Sequence, residues 1–325
     1  MVDLKTNYAG LTLRNPLIVG SSGLSAKVEK IKEFAKAGAA AVVLKSLFEE
    51  QIERQADSLL RESDSPEAQA YVHEYLRAHQ VQGYLELIKE AKASCDIPVI
   101  ASINCYKAGE WIDFARQVEQ AGADAIELNV YFMETDPDQE VEMSRRLYAD
   151  IAMQVKAAIS IPLMVKLSKS VGNVPALAKA LKLGGADGIV LFNRFFQPDI
   201  DITTLQLASG NVFSEHAELN ETLRWTAIVS GKVPGLPIAS STGVHDWEDL
   251  VKCLLAGASA VEMVSALYTS GAKLIPQLLT CLEEWMTQAH YRSLSEFRGK
   301  LNYARIADPG MYERAQFMKY FSNRD

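Results

Sequence analysis

Four copies of one short phrase constrain the fold of this 325-residue chain more than any other feature. In each copy, a small Ala/Gly turn is followed at once by a short apolar run, and the residues before the turn have helical spacing. A helix that ends at glycine and passes directly into a buried strand is typical of parallel β/α folds, because glycine readily adopts the positive φ of such a helix end. The four turns are at 37–39, 121–123, 184–186 and 256–258.

Four further apolar runs complete a set of eight predicted strands. They are short and rich in Val and Ile, and helical stretches separate them. Eight strands alternating with helices predict an α/β fold, a (β/α)8 TIM barrel formed by one domain over residues 1–325. An open, doubly wound sheet is the alternative, but it usually has fewer strands and a glycine-rich first turn. The strands are predicted to centre near Ile18, Val43, Ile100, Glu127, Val165, Val190, Ala239 and Glu262.

Charge and cysteine content exclude several classes of partner. The net charge is −8 and there is no basic tract, so nucleic acid and anionic membranes are poor candidates. No apolar stretch approaches the roughly 20 residues of a membrane helix, and the N-terminus lacks a signal pattern. The four cysteines and five histidines are scattered without metal-ligand spacing, which predicts a reduced, cytoplasmic protein without a metal site.

Two segments are longer than ordinary loops. Phe48 to about Gln80 follows the second predicted strand and is highly charged, and Phe195 to Glu218 follows the sixth. We expect these insertions after strands 2 and 6 on the active-site face of the barrel, where the strands end. The first segment is interpreted as a lid beside a small-molecule substrate or as a contact between two copies of the chain in a homodimer, and both interpretations stay open.

Polar residues collect where the predicted strands end. Barrel strands should be apolar, so a single lysine at such a place would favour a bridge to a neighbouring carboxylate. Two lysines and three asparagines that converge on one face favour a shared polar ligand instead. The residues are Ser21, Ser22, Gly23, Lys45, Ser46, Asn104, Asn129, Lys166, Asn193, Arg194, Ser241, Thr242, Gly243 and Ser265.

The last two predicted strands indicate that the ligand carries a phosphate. SSTGVHDW places small residues before a helix that opens near His245, and Val264 and Ser265 form the next turn. Exposed N–H groups at helix N-termini after the seventh and eighth strands form the usual phosphate site of barrels. Flavin mononucleotide (FMN) fits this pattern, with Lys166 placed to stabilise the anionic reduced ring.

These motifs, in this order, resemble the dihydroorotate dehydrogenase family of FMN-dependent barrels. The resemblance covers nearly the whole chain through NPLIVGSSG, VVLKS, ADAIELN, IPLMVKL, ADGIVLFN, SSTGV and GASAVEMVSALYTSG, and NRFFQPDIDI resembles a dihydroorotate dehydrogenase-like subgroup. It implies oxidation of dihydroorotate or a related dihydropyrimidine by hydride transfer to flavin, in pyrimidine biosynthesis. It also implies FMN contacts at Ser22, Gly23, Lys45, Ser46, Asn104, Asn129, Lys166, Asn193, Ser241, Thr242, Gly243, Val264 and Ser265.

The substrate half of the site departs from the family pattern. Family members usually carry a Cys or Ser base after the fourth strand, but Phe132 occupies that position and cannot accept a proton. FEEQIERQ replaces the Asn-rich substrate loop after the second strand. The phosphate turn reads SSTG rather than GTGG, which threatens FMN binding least, provided that no positive φ is forced on Ser or Thr.

Several residues remain candidates for the missing chemistry. Tyr131, Thr135 and Cys105 are possible acid/base groups beside Lys45 and Lys166, although Cys105 is also interpreted as a structural thiol. The predicted substrate contacts are Asn104, Asn129, Asn193 and Arg194. Arg194 either binds a substrate carboxylate or pairs with Asp199 or Asp201.

Two alternative functions stay open beside the dehydrogenase. One is an FMN-binding barrel without dehydrogenase activity, which would serve as a partner or regulator. The other is a lyase in which Lys166 or Lys45 forms a Schiff base with a phosphorylated carbonyl substrate. A yellow protein would disfavour the lyase, and reduction of the flavin by dihydroorotate would disfavour the inactive barrel.

Overall fold

Thirteen short strands and ten helices make up the part of the chain that the computed structural model describes, which is residues 2–48, 66–104, 108–130, 135–138 and 143–314. The strands are β1 Thr6–Tyr8, β2 Leu11–Leu13, β3 Leu17–Val19, β4 Ala41–Val43, β5 Leu47–Phe48, β6 Val99–Asn104, β7 Ala125–Asn129, β8 Leu163–Ser168, β9 Gly188–Asn193, β10 Pro198–Asp201, β11 Gln206–Ser209, β12 Ile238–Ser241 and β13 Ala260–Met263. The helices are α1 Val28–Ala37, α2 Pro66–Ser94, α3 Ala108–Gln120, α4 Met143–Ala158, α5 Val174–Leu183, α6 Leu219–Lys232, α7 Trp247–Ala256, α8 Ser265–Ser270, α9 Leu274–Gln288 and α10 Gly310–Glu313.

Eight parallel strands close into a barrel. In order round the ring they are β3, β4, β6, β7, β8, β9, β12 and β13, and β13 pairs with β3 to complete it. All eight predicted strand centres lie within these strands, so the (β/α)8 prediction is confirmed and closure excludes the open sheet. Helices α1 and α7 end at Gly38 and Gly257, whose φ values of 107° and 119° fit the repeated Ala/Gly turn.

The barrel interior has an apolar layer beneath a polar one. Side chains two residues apart on a strand point to the same face, so the inward residues of one strand lie at successive depths in the barrel. The apolar layer includes Ile100, Ala125, Met164, Ala239 and Ala260, all with no exposed surface. The next inward residues on the same five strands are Ser102, Glu127, Lys166, Ser241 and Glu262, which are also buried.

An N-terminal hairpin that the sequence did not predict closes the barrel at the end opposite the polar layer. β1 and β2 pair antiparallel, and Tyr8 and Leu13 are fully buried with the apolar layer. The Tyr8 hydroxyl donates a hydrogen bond of 3.3 Å to the carbonyl of Ile189. Solvent therefore has access to the barrel interior from the carboxyl ends of the strands.

The second strand of the barrel is interrupted by one extra residue. Val43 pairs with Ile100, and Leu47 pairs with Ile103. Four steps along this strand therefore correspond to only three steps along its neighbour. This bulge leaves Leu44 buried and Lys45 exposed. Ser46, rather than Lys45, then faces inward beside Ser102.

The two long segments differ in what the structure describes. Residues 49–65 lie outside the described part, and residues 66–80 form the first half of α2, which continues without a break through the helix predicted from Gln82. The segment after β9 forms the exposed hairpin of β10 and β11 before it returns to the barrel at α6. Within the described helices, none combines the length and the apolar character needed to cross a membrane.

Candidate active site

A cavity of 410 Å³ opens at the carboxyl ends of the strands, within the range of about 300–1,000 Å³ that is usual for ligand pockets. Ten of the residues predicted at the strand ends line it, and they come mainly from β9, β12, β13 and the turns that follow these strands. Those ten are Ser21, Ser22, Lys166, Asn193, Arg194, Ser241, Thr242, Gly243, Val264 and Ser265. The lining also includes Glu262, Phe213, Ser214 and Tyr268, which the sequence analysis did not single out as site residues.

Hydrogen bonds join four strand ends around Asn129 at the carboxyl end of β7. Its amide nitrogen donates to the hydroxyls of Ser46, at 2.9 Å, and Ser102, at 3.2 Å. Its amide oxygen accepts a hydrogen bond of 3.2 Å from Asn193. Ser46 is also 3.0 Å from the hydroxyl of Ser21. Two of the three predicted asparagines, Asn129 and Asn193, thus meet together with serines of neighbouring strand ends, and these contacts fix the orientation of the Asn129 amide.

A buried lysine and two buried glutamates form the floor of the cavity. The Lys166 Nζ lies 2.7 Å from Glu262 Oε2 and 3.2 Å from Glu127 Oε1. The side chains of Lys166, Glu127 and Glu262 are 6%, 0% and 1% exposed. Each glutamate has the same inward parity as Lys166, which is the signal in AIELN and AVEMV that could have identified them.

The protonation of this floor follows from its burial. Burial raises the pKa of Glu127 well above its usual value, and the neighbouring Glu262 raises it further, against the opposing effect of Lys166. Burial alone would lower the pKa of Lys166, but Glu127 and Glu262 outweigh it and raise that pKa above its usual value. Lys166 is therefore held as a cation, whereas a Schiff-base nucleophile must be a neutral amine.

The turn after β12 has an unusual backbone. Thr242 and Gly243 have φ values of 79° and 85°, so the condition that no positive φ falls on Ser or Thr in this turn is not met at Thr242. A β-branched residue is strained in this region and persists only where its surroundings fix it. The Thr242 hydroxyl donates to the carbonyl of Phe192 at 3.0 Å, and its own carbonyl accepts from Thr222 at 3.1 Å.

Residues 212–218 fold back over the cavity after the β10–β11 hairpin. The backbone N–H of Ser214 donates to the Ser265 hydroxyl at 2.9 Å, and the Phe213 ring lies 5.4 Å from the Tyr268 ring. The guanidinium of Arg194 contacts Glu218 at 3.1 Å and the carbonyl of Val212 at 2.9 Å. Arg194 thus pairs with Glu218 instead of Asp199 or Asp201, and it holds the covering segment in place.

Several predicted residues are not brought to this cavity. Lys45 is exposed and lines a separate cavity of 510 Å³ between α1 and α2. Asn104 is half-buried at the end of β6, and Thr135 is exposed. Cys105, Tyr131 and Phe132 lie outside the described residues. The roles predicted for these residues stay predictions.

A cluster of histidines and aspartates anchors the covering segment to the start of α7. His216 Nδ1 is 2.9 Å from Asp249 Oδ2, which also accepts the backbone N–H of His245 at 3.0 Å. Asp246 caps α7 by accepting the backbone N–H of Asp249. Asp249 also accepts from Lys252 at 3.1 Å. Helix capping and these side-chain contacts explain why acidic residues stand here.

We expect acidification to loosen this anchor through His245, which lies 3.3 Å from the Ser214 hydroxyl. Burial lowers the pKa of His245, and the nearby His216 lowers it further. The unfolded chain then binds the proton more readily, so stability falls as pH drops below the usual value of about 6.5. Melting temperatures from pH 7 to pH 5 should fall more for wild type than for His245→Gln. Parallel melting curves would contradict this role for His245.

Comparison with known proteins finds similarity over most of the chain. The model of the family described as dihydroorotate dehydrogenase matches residues 3–286. The chain is 30% identical over 305 residues to the catalytic subunit of dihydroorotate dehydrogenase B (NAD(+)) from Thermoplasma acidophilum, covering 92% of this chain and 99% of that one. It is 31% identical to the corresponding subunit from Methanocella arvoryzae, with 82% and 88% covered. It is 25% identical to the NAD-dependent dihydropyrimidine dehydrogenase subunit PreA of Escherichia coli, with 92% and 77% covered.

Proposed function

Because the chain belongs to the dihydroorotate dehydrogenase family, we propose that its cavity binds FMN and that it oxidises dihydroorotate or a related dihydropyrimidine. The chain is a dihydroorotate dehydrogenase-like oxidoreductase that acts on a CH–CH bond. The single observation that carries the cofactor proposal is one cavity with a phosphate-type turn at its rim and a buried cation at its floor. A flavin mononucleotide offers a phosphate to the first and a polar ring edge to the second.

The donors that line the cavity fit this cofactor. Hydroxyl and N–H groups surround the proposed phosphate end, at 241–243 and 264–265, and the first N–H groups of α8 have no acceptor within their own helix. Glu262 is the one acidic residue in the described lining, and its carboxylate is in contact with the Lys166 ammonium. A phosphate therefore meets donors and no opposing carboxylate at its end of the cavity.

When bound, FMN would supply a hydride acceptor. In this proposal, Lys166 holds a positive charge beside the flavin ring. Asn129 and Asn193 orient the ring or the substrate by amide hydrogen bonds. The proposed part of residues 212–218 is to keep water from the covered end of the cavity. Ser22, Gly23, Ser46 and the phosphate-turn residues complete the proposed contacts.

A Schiff-base lyase is not favoured. Lys166 is paired with two carboxylates, and Lys45 is exposed on a different cavity. An FMN-binding barrel without activity would share the cofactor site and differ only in its response to substrate. Reduction of the bound flavin by substrate therefore distinguishes the active dehydrogenase from the inactive barrel.

We expect the purified protein to be yellow and to carry about one non-covalent FMN per chain. Visible absorbance before and after acid release of the cofactor measures this ratio. Anaerobic addition of dihydroorotate, or of 5,6-dihydrouracil, should bleach the flavin absorbance. A colourless protein whose melting temperature ignores added FMN would rule out the cofactor. A yellow protein that no dihydropyrimidine bleaches would leave the cofactor proposal standing and contradict the substrate class.

The proton acceptor sets the expected rate with dihydroorotate. General-base catalysis contributes about 10²–10⁴-fold, and Phe132 stands where the family carries its base. Dihydroorotate should therefore reduce the flavin slowly unless Tyr131, Thr135 or Cys105 accepts the proton. Tyr131→Phe, Thr135→Val and Cys105→Ala variants identify the substitute, because only its loss lowers the single-turnover rate at constant substrate affinity.

We also propose a homodimer, assembled through the β10–β11 hairpin. Ile200, Ile202, Leu205 and Leu207 are 64–84% exposed on this hairpin, and apolar surface of this kind is usually covered by another protein. Sedimentation velocity should find a dimer, and Ile202→Lys/Leu205→Lys should convert this dimer to a monomer. An unchanged circular dichroism spectrum of the variant would show that its fold is intact. A wild-type monomer would contradict the proposal.

A further inference from the structure

The floor of the cavity has an unequal number of buried charges. Lys166 offers one positive charge, while Glu127 and Glu262 offer two negative ones, and all three side chains are at most 6% exposed. A net negative charge in a dry interior is costly, because burial removes the water that stabilises it. A proton on Glu127, the carboxyl group whose pKa burial raises well above its usual value, would make this cluster neutral.

The positions of the oxygens support a proton on Glu127. Glu127 Oε1 and Glu262 Oε2 both contact the Lys166 ammonium, whereas Glu127 Oε2 is buried and has no hydrogen-bond partner among the described residues. Both carboxyl groups therefore lie beside the same cation, and the neighbouring Glu262 raises the pKa of Glu127. Ionised carboxylates accept hydrogen bonds and do not donate them, so a buried oxygen that no donor reaches is a suitable place for a proton.

The other titratable groups facing the pair, in the described part of the chain, cannot take over this role. Tyr8 from β1 and Tyr84 from α2 face it from below and from the side, and burial raises the pKa of both hydroxyls. Tyr8 donates to the carbonyl of Ile189, and Tyr84 donates to the carbonyl of Ser102. Both therefore stay neutral, and at the rim Arg194 is already paired with Glu218.

Access differs between the two glutamates. Glu262 and Lys166 line the cavity, whereas Glu127 is completely buried behind them. An anion at the floor of the cavity would approach the Lys166 ammonium and the Glu262 carboxylate together. It would be attracted by the first and repelled by the second, and protonation of the carboxyl pair removes the repulsion.

We propose that the Glu127–Glu262 pair takes up one further proton from solvent when negative charge develops at the cavity floor, so that the Lys166 ammonium is released to neutralise that charge. This inference rests on the proposed function, in which hydride from the substrate brings two electrons and one proton to bound FMN. That transfer leaves one negative charge in the cavity. The second proton, taken from solvent by the carboxyl pair, restores the charge balance.

The test is the pH dependence of the reduction potential of the FMN-loaded protein, measured with dithionite and a reference dye between pH 6 and pH 8. Each proton taken up changes the two-electron equilibrium tenfold per pH unit, which is about 30 mV. Wild type should therefore show a slope of about 60 mV per pH unit, for two protons. Glu262→Gln should show about half that slope, because an amide cannot take up the proton.

A matched control and a direct proton count complete the experiment. Glu221→Gln removes an exposed carboxylate that pairs with Lys169, and it should keep the wild-type slope. An indicator dye in weakly buffered wild-type protein should report one more proton on photoreduction than in Glu262→Gln. A wild-type slope of one proton, or an unchanged slope in both Glu262→Gln and Glu127→Gln, would overturn the inference while FMN binding stands. A protein that retains no FMN would contradict the proposed function itself.

Discussion

Replacing Lys166 by methionine should lower the free energy of unfolding by about 3–5 kcal/mol at pH 7, because it leaves two buried carboxyl groups without their cation. The methionine fills a similar volume, so the loss is electrostatic rather than a cavity effect. Native domains are stable by about 5–15 kcal/mol, so this one change removes a large share of the total. Urea unfolding followed by circular dichroism measures it, and FMN affinity should fall with it.

The loss of stability in Lys166→Met should depend on pH and on the carboxyl partners of Lys166, and this dependence identifies its origin. Both carboxyl groups are neutral when protonated, so the deficit of Lys166→Met should shrink as pH falls from 7 towards 5. Adding Glu262→Gln to Lys166→Met should restore part of the stability, since one buried negative charge is then gone. If the double variant were no more stable than Lys166→Met, or if the deficit were the same at both pH values, the loss would reflect packing instead.

Replacing Gly243 by alanine should cost roughly 3 kcal/mol of stability and weaken FMN binding about tenfold or more. The glycine has a φ of 85°, and a Cβ there would collide with the backbone nitrogen of Leu219 and lie 2.7 Å from its Cα. The neighbouring Thr242 is already strained, so the turn has little freedom to relax. Urea unfolding and FMN titration by fluorescence quenching measure the two effects.

Gly172→Ala is the matched control for this substitution. No atom lies within 4 Å of a Cβ at Gly172, and its φ is not in the left-handed region. Both substitutions restrict the conformations of the unfolded chain equally. The difference in stability between the two variants therefore comes from the native turn alone. Gly172→Ala should be neutral or slightly stabilising. Equal stability of the two variants would contradict the assignment of Gly243 as a fixed point of the proposed phosphate turn.

The fold was predictable from sequence because it rests on local patterns. The Ala/Gly turns mark helix ends, and short Val- and Ile-rich runs mark buried strands, so all eight strand centres were located correctly. The polar convergence followed from the same strand assignments. Asn129 and Asn193, which are 64 residues apart, meet at 3.2 Å because both end parallel strands of one barrel.

What could not be predicted depends on contacts between distant parts of the chain. The pairing of Arg194 with Glu218 needs the covering segment to fold back, which no local pattern encodes. The positive φ of Thr242 is fixed by hydrogen bonds to Phe192 and Thr222, from other elements. The role of Glu127 and Glu262 could have been inferred from their shared parity with Lys166, but their meeting depends on closure of the barrel.

The single extra residue after β4, and not the chemistry of lysine, sets the direction in which the Lys45 side chain points. Between Val43 and Ser46 the chain holds two residues, where the neighbouring strand holds one between Ile100 and Ser102. Regular alternation from Val43 would turn Lys45 inward, so the bulge alone keeps this charge away from the cavity. A relative with lysine at this place therefore presents its charge to the cavity when its strand lacks the bulge, and it shares the position of Lys45 in space only when its strand has the bulge.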